Sequence, residues 1–221
     1  AGEVRLVGVP ASAEDAVALA SALVARAGTV PVTAWSLADL QRLAPVPDAL
    51  VALVEGLRDA GVAAIAEAPV DALADAAAAV SAVAKAGGAI ARLTVSRCDD
   101  RAAVFAVLQQ VKRIQKATGA VHVFAPLPRQ VDDRAPSTGY DDVKVVALAR
   151  LCLDTVASIQ VDWQRCGAKL AQVALLFGAD DIDNVSPLEG ADLGRRRAPL
   201  EDVRRNITAA SLSPVERDGR W

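Results

Sequence analysis

The sequence predicts an α/β fold of the (β/α) TIM-like barrel type, formed by a single domain over residues 1–221. Three observations predict it. Short apolar runs alternate with longer stretches of helical period along the whole chain. The runs read as uniformly apolar rather than alternating, as strands of a parallel sheet covered by helices do. No domain-breaking linker divides the seven candidate strands, which favours a barrel over a doubly wound sheet.

The elements follow in order. "VRLVGVP" (4–10) is β-like and closes on Gly-Val-Pro. "SAEDAVALASALVARAG" (12–28) is a helix with an N-cap serine, acidic residues in its first turn and Gly28 as its stop. "VPVTAWS" (30–36) is the next strand, followed by a helix over 47–61 and the strand "VAAIAEAP" (62–69). A helix over 71–87 leads to "AIARLTVS" (89–96), and a helix over 100–119 to "AVHVFAPLP" (120–128). A helix over 139–156 precedes "SIQVDW" (158–163), and 166–178 is a helix whose apolar end supplies the last strand. The tail 199–218 reads as a helix and an extended piece.

Composition excludes several classes. Net charge is −3, and the densest basic run, Arg195-Arg196-Arg197, has no interleaved aromatics, so no nucleic-acid partner is expected. No apolar stretch reaches the length of a membrane span, and the N-terminus lacks the pattern of a signal peptide. Cys98, Cys152 and Cys166 are odd in number and widely spaced, forming neither a CxxC nor a disulfide framework, which predicts a reducing cytoplasmic location. The single histidine, His122, sits among apolar neighbours and reads as a core residue, and no GxSxG, GxGxxG or P-loop is present.

In a (β/α) barrel the working residues sit at the C-terminal strand ends. Here those positions include Trp35 and Ser36, Glu67, Arg92 and Thr94, Pro126 to Gln130, Asp162 and Trp163, and Asp180 to Asp183. The richest polar feature is "GADDIDNVSPLEG", with Asp180, Asp181, Asp183 and Glu189. It breaks the EF-hand pattern, so capping or recognition of substrate hydroxyls is expected and no metal site is assigned. The proline-rich connection 125–142 is long enough to shape a mouth, with Arg129, Gln130 and Arg134 as its polar groups and Ser137 or Thr138 capping the following helix. Glu67, Arg92, Arg129, Asp162, Asp180 and Asp183 form the candidate ligand-binding set. Arg92 and Arg129 are suited to a carboxylate or phosphate, and the acids to ribose-like hydroxyls; alternatively these charges pair with one another.

"FAPLPRQ", "STGYDDVKVVALARLCLD", "KLAQVALLFGADDID" and "VERDGR", in that order, resemble the radical SAM enzymes of the futalosine menaquinone pathway, aminofutalosine synthase foremost, with dehypoxanthine futalosine cyclase and the deazaflavin-forming FO synthase as relatives. Gln172, Gly178, Asp180, Asp181 and Asp183 match the family pattern, and Asn184 stands in place of a glycine. The family holds a [4Fe–4S] cluster and S-adenosylmethionine on a CxxxCxxC loop, which the resemblance places N-terminal to residue 1. The barrel is therefore expected to be partial, lacking its first βα unit, and no cofactor is expected for the chain alone. Catalytic residues are not assigned. The resemblance implies a cluster-less relative that binds a ligand or partner. The alternative it implies is a fragment or subunit of an aminofutalosine synthase-like enzyme, its cluster supplied by another chain or segment. A third possibility is acid–base or metal chemistry through Asp162, Asp180 and Asp183. The open edge of a partial barrel calls for self-association as a homodimer, a cluster-bearing partner chain, or cover by a C-terminal segment.

Overall fold

A computed structural model describes residues 2–97, 101–130, 138–185 and 199–218. Among the described residues there are seven strands: β1 (Val4–Leu6), β2 (Val32–Ser36), β3 (Ala64–Pro69), β4 (Leu93–Val95), β5 (Val123–Pro128), β6 (Ser158–Asp162) and β7 (Asp181–Asp183). All neighbouring pairs are parallel, and the sheet order is β1-β2-β3-β4-β5-β6-β7. The sheet is curled into a partial (β/α) barrel. Eight helices connect or follow the strands: α1 (Ala13–Ala27), α2 (Leu37–Leu43), α3 (Pro47–Asp59), α4 (Ala76–Lys85), α5 (Arg101–Thr118), α6 (Gly139–Cys152), α7 (Trp163–Leu176) and α8 (Pro199–Ala209).

Local chemistry sets most boundaries. Ser12 accepts from the Asp15 amide at 3.1 Å and caps α1, while Gly28, at φ 63, stops it in a conformation that disfavours other residues. Asp75 caps α4 by accepting from the Ala78 amide at 2.9 Å, so the helix starts five residues later than 71. Asp71 is used elsewhere: its carboxylate accepts from the Ser96 and Arg97 amides, both at 2.7 Å, and ties the end of β3 to that of β4. Thr138 caps α6 by accepting from the Asp141 amide. The helix α2 was not expected; it places Leu37 and Leu40, three residues apart, wholly in the core.

The core lies between sheet and helices. Leu37, Leu57, Ile114, Phe124, Leu153 and Ile159 are among its fully buried side chains. Each contributes roughly 2 kcal/mol by leaving water. The inner face of the barrel is different, and it corrects the reading of the strands as uniformly apolar. Thr33, Arg92, Thr94, Gln160, Asp162 and Asp183 are all buried polar side chains. Gln160 pairs in register with Asp181, and Asp162 with Asp183, so these polar residues share one face.

The last strand also differs from expectation. The apolar residues Leu175, Leu176 and Phe177 end α7, and the strand is Asp181-Ile182-Asp183 itself. The acidic cluster is thus not the wet end of a strand but the strand, with period-two alternation. Its fourth carboxylate, Glu189, lies outside the described residues, as do Cys98, Arg134, Ser137 and Arg195 to Arg197. His122 is exposed rather than in the core.

β1 pairs only with β2, and β7 only with β6. Arg217 and Asp218, near the C-terminus, lie at the seam between them. A methyl group on Gly2 would come within 2.9 Å of the Arg217 carbonyl oxygen, so the close approach depends on that glycine. The Arg217 side chain grips Asp181 of β7 in a two-pronged contact of 2.9 and 2.7 Å. Arg217 thus reaches both the residues before β1 and the last strand, β7. No helix among the described residues is long and apolar enough to cross a membrane.

Candidate functional site

The predicted site residues fall into two connected groups and one outlier. The first group is the inner network. The residues preceding and opening β1 bring Glu3 and Arg5 to the same face, two positions apart. The Arg92 Nη2 donates to Glu3 Oε2 at 3.1 Å, and its Nη1 lies 3.5 Å from Asp183 Oδ2. Arg5 donates to Asp183 Oδ2 at 3.0 Å, joining β1 to β7 across the seam, and the Thr33 hydroxyl donates to Glu3. Gln160 Nε2 donates to Asp181 Oδ2 at 2.6 Å, beside the Arg217 contact. Arg92 has no exposed side-chain surface.

Electrostatics hold this network ionised. Burial alone would raise the Glu3 carboxyl, but Arg92, the Thr33 hydroxyl and Arg5 outweigh it and hold Glu3 below the ordinary carboxylate range. Asp183 is likewise buried, and Arg92 and Arg5 hold it low. Burial pulls Arg92 down despite its two carboxylates, the opposite sign to the gain its partners record. An arginine has enough margin above neutral pH to stay charged, so the carboxylates decide the behaviour of the set.

The second group sits at the C-terminal ends of β3, β5 and β6. Arg129 Nη1 donates to Asp162 Oδ2 at 2.8 Å, and its Nε lies 3.7 Å from Glu67 Oε2, beyond hydrogen-bond reach. Asp162 also caps α7, accepting from the Arg165 amide at 3.1 Å, and takes two 3.3 Å contacts from Asn184 Nδ2. Asn184 has φ 60, a left-handed conformation that glycine or asparagine adopts most readily, which explains why asparagine can stand where the family pattern has glycine. Asp162 is buried and Trp163 only partly so, the reverse of a core tryptophan beside an outward carboxylate.

Asp180 is the outlier. It is half-exposed, pairs with Arg150 of α6 at 2.7 Å and accepts from the Ile159 amide at 2.9 Å. It fastens helix to sheet and joins neither group. Sequence reasoning missed Glu3, Arg5, Thr33, Gln160 and Arg217 as members of the network; the polar residue at every second position in "EVR" and "QVD" was the available signal. A shallow apolar depression bordered by Val80, Ile90, Leu93, Val121 and His122 shares no residue with either group.

Both groups contain donors or acceptors without partners. Arg92 Nε and Nη1, Thr94 Oγ1 and Gln160 Oε1 are buried and make no hydrogen bond; so are Arg129 Nε and Nη2. Buried polar atoms are rarely left in this state without a ligand or water to meet them.

The cluster that the motif resemblance implies needs thiolate ligands. Burial and the neighbouring Asp162 push the Cys166 thiol up to about 11, against the thiolate such ligation needs. Among the described residues no three His, Cys, Asp or Glu side chains are placed to hold a metal ion. The described residues do not fit the cluster, and no chemistry is derived through it.

No protein-family model matches the chain. Similar proteins include the 5-amino-6-(D-ribitylamino)uracil–L-tyrosine 4-hydroxyphenyl transferase of Methanococcus aeolicus, 36% identical over 124 residues, which cover 49% of this chain and 34% of the relative. The transferases of the same name from Methanothermobacter thermautotrophicus and Archaeoglobus fulgidus are 38% identical over 125 residues and 35% identical over 121 residues, covering 49% of this chain each and 34% and 35% of the relatives. The chain spans about a third of the length of the curated relatives it matches.

These relatives correct the assignment drawn from the motifs. They are named for 4-hydroxyphenyl transfer between L-tyrosine and a ribitylaminouracil, not for futalosine chemistry. The futalosine and menaquinone assignment therefore does not stand. Nor does the cluster-less binding barrel of that family, or the subunit of an aminofutalosine synthase-like enzyme. The physical reason lies in what the motifs encode. In "FGADD", Gly178 has φ 111 and faces the Arg150 side chain, and Asp180 pairs with the same arginine. Those residues fasten α6 to the sheet, so they report the scaffold and not the substrate.

Proposed function

We propose that the chain is a substrate-holding part of a 4-hydroxyphenyl transferase acting between L-tyrosine and 5-amino-6-(D-ribitylamino)uracil. The observation that carries this reading is the repeated similarity, at 31–38% identity over 121–126 residues, to transferases of that one name. The geometry at the strand ends supports it. An α-amino acid presents a carboxylate and an ammonium side by side. Arg129 offers Nη2, and an Nε that makes no hydrogen bond and meets Glu67 only at 3.7 Å, to the first, and Glu67 and Asp162 flank it for the second. The absence of a disulfide framework suits a reducing, cytoplasmic location for this activity.

The test is calorimetric titration of the chain with each substrate separately. L-Tyrosine is expected to bind the wild type and to bind Arg129→Gln at least about 10-fold more weakly, the loss of one charge-assisted contact. The ribitylaminouracil should bind both within a factor of about two. Failure of the wild type to bind either compound at millimolar concentration would overturn the reading.

A further inference from the structure

Resting on that reading, we infer that the unpartnered atoms of Arg92, Thr94 and Gln160 form a binding site inside the barrel for a neutral cyclic ureide, the uracil ring of the aminouracil. Thr94 pairs in register with Ala125, Phe124 pairs with Ile159, and Gln160 pairs with Asp181. Continuing the β5–β6 register by one residue sets Ala125 beside Gln160. Thr94, Ala125, Gln160 and Asp181 thus make one row across four strands, facing the same way. Strands are spaced by about 4.8 Å, so Thr94 and Gln160 stand roughly 10 Å apart with only an alanine methyl between them. Arg92, two residues before Thr94, projects over this row to reach Glu3 and Asp183.

The chemistry of the row selects the ligand class. Three acids, Glu3, Asp181 and Asp183, are matched by Arg5, Arg92 and Arg217. An anion would meet an arginine already neutralised, and a cation would meet carboxylates already taken. An apolar group would leave every orphaned atom unpaired and desolvated. What remains without a hydrogen bond is the Arg92 Nε, an Nη1 held only by its 3.5 Å approach to Asp183, an acceptor on Gln160 and a hydroxyl on Thr94 that serves as either. A cyclic ureide presents carbonyl oxygens and N–H groups in alternation and can use all of them. Water molecules are the competing occupant.

The experiment compares wild type with Thr94→Val, which removes an unpartnered hydroxyl at nearly constant shape, and with Arg92→Lys, which keeps the charge but removes Nε. Binding of 5-amino-6-(D-ribitylamino)uracil, free uracil, hydantoin and ribitol is measured by calorimetry, with a thermal melt of each unliganded protein. The expected result is that the aminouracil and uracil bind the wild type while ribitol binds far less. Thr94→Val should weaken the two ureides about 10-fold, with an unliganded melting temperature equal to or above that of the wild type, and Arg92→Lys should weaken them further. Thr94→Val binding the aminouracil as tightly as the wild type would overturn the inference while leaving the proposed function standing. Thr94-dependent binding of uracil or hydantoin, with no binding of the aminouracil or L-tyrosine, would sustain the inference and overturn the proposed function. Binding of none of these compounds would overturn both and leave water as the occupant of the row.

Discussion

Replacing Arg92 with methionine lowers the stability of the protein by about 3–5 kcal/mol, read as the shift of the urea unfolding midpoint at unchanged slope. Arg92 is the one buried cation that touches both Glu3 and Asp183, and its side chain is wholly enclosed. Its removal leaves two carboxylates facing each other, offset by Arg5 at the seam and, for Asp183, by Arg217 at 4.0 Å. The cost arises from the charges left behind rather than from the arginine's own contribution, because desolvation of a buried pair consumes most of its Coulomb energy. A triple variant that also makes Glu3 and Asp183 apolar should therefore recover much of the loss. If Arg92→Met alone unfolds within about 1 kcal/mol of the wild type, the inner network is solvated and the enclosure of Arg92 is wrong.

The same network makes the protein sensitive to acid. Glu3 and Asp183 are held below the ordinary carboxylate range in the folded state, with Arg92 the largest favourable influence on each. A carboxyl whose folded value lies below its unfolded value contributes stability that is fully present above the unfolded value, near 4 for carboxyls of these types. That stability is lost as pH falls through the folded values. Unfolding midpoints should thus be level from about pH 7 to pH 5 and drop steeply below about pH 4. Asp183→Asn, which removes one of the two carboxylates that Arg5 and Arg92 share, should cost on the order of 3 kcal/mol at neutral pH and flatten the acid limb. An acid limb unchanged in Asp183→Asn would locate the responsible carboxyl elsewhere.

Much of this architecture is legible in local sequence because local chemistry sets it. Ser12 and Gly28 bracket α1 by hydrogen bonding and backbone freedom that act within one turn. Short apolar runs alternating with helical periodicity gave the order of strands and helices, and the strand-end rule picked out Glu67, Arg92, Arg129, Asp162 and Asp183. What stayed hidden is what depends on distant partners. Asp180 has the same chemistry as Asp183 three residues away, yet one fastens Arg150 on the helical side and the other lies inside the barrel. Only the register of β7 against β6 decides between them. Glu3 and Arg5 precede or open the first strand, where charges ordinarily mean solvent. They are enclosed because the sheet curls far enough for β7 to meet them. The strand β7 was misplaced because Leu175, Leu176 and Phe177 carry the hydrophobicity, and two of those three are exposed at the end of a helix.

The seam has a consequence for the order in which the molecule forms. Every ladder in the sheet joins consecutive strands, so each strand adds to the one before it after closing a loop of one or two helices. The Arg5–Asp183 contact, by contrast, joins residues 178 positions apart. Its loop-closure entropy falls only after the intervening strands have assembled. The seam is accordingly expected to close late, with φ-values near zero for Arg5 and Asp183 in folding kinetics. Weakening it speeds unfolding and leaves the rate of folding nearly unchanged. Arg5, Arg217 and Gly2 govern how long the native state lasts, while the apolar layer between sheet and helices governs how fast it is reached.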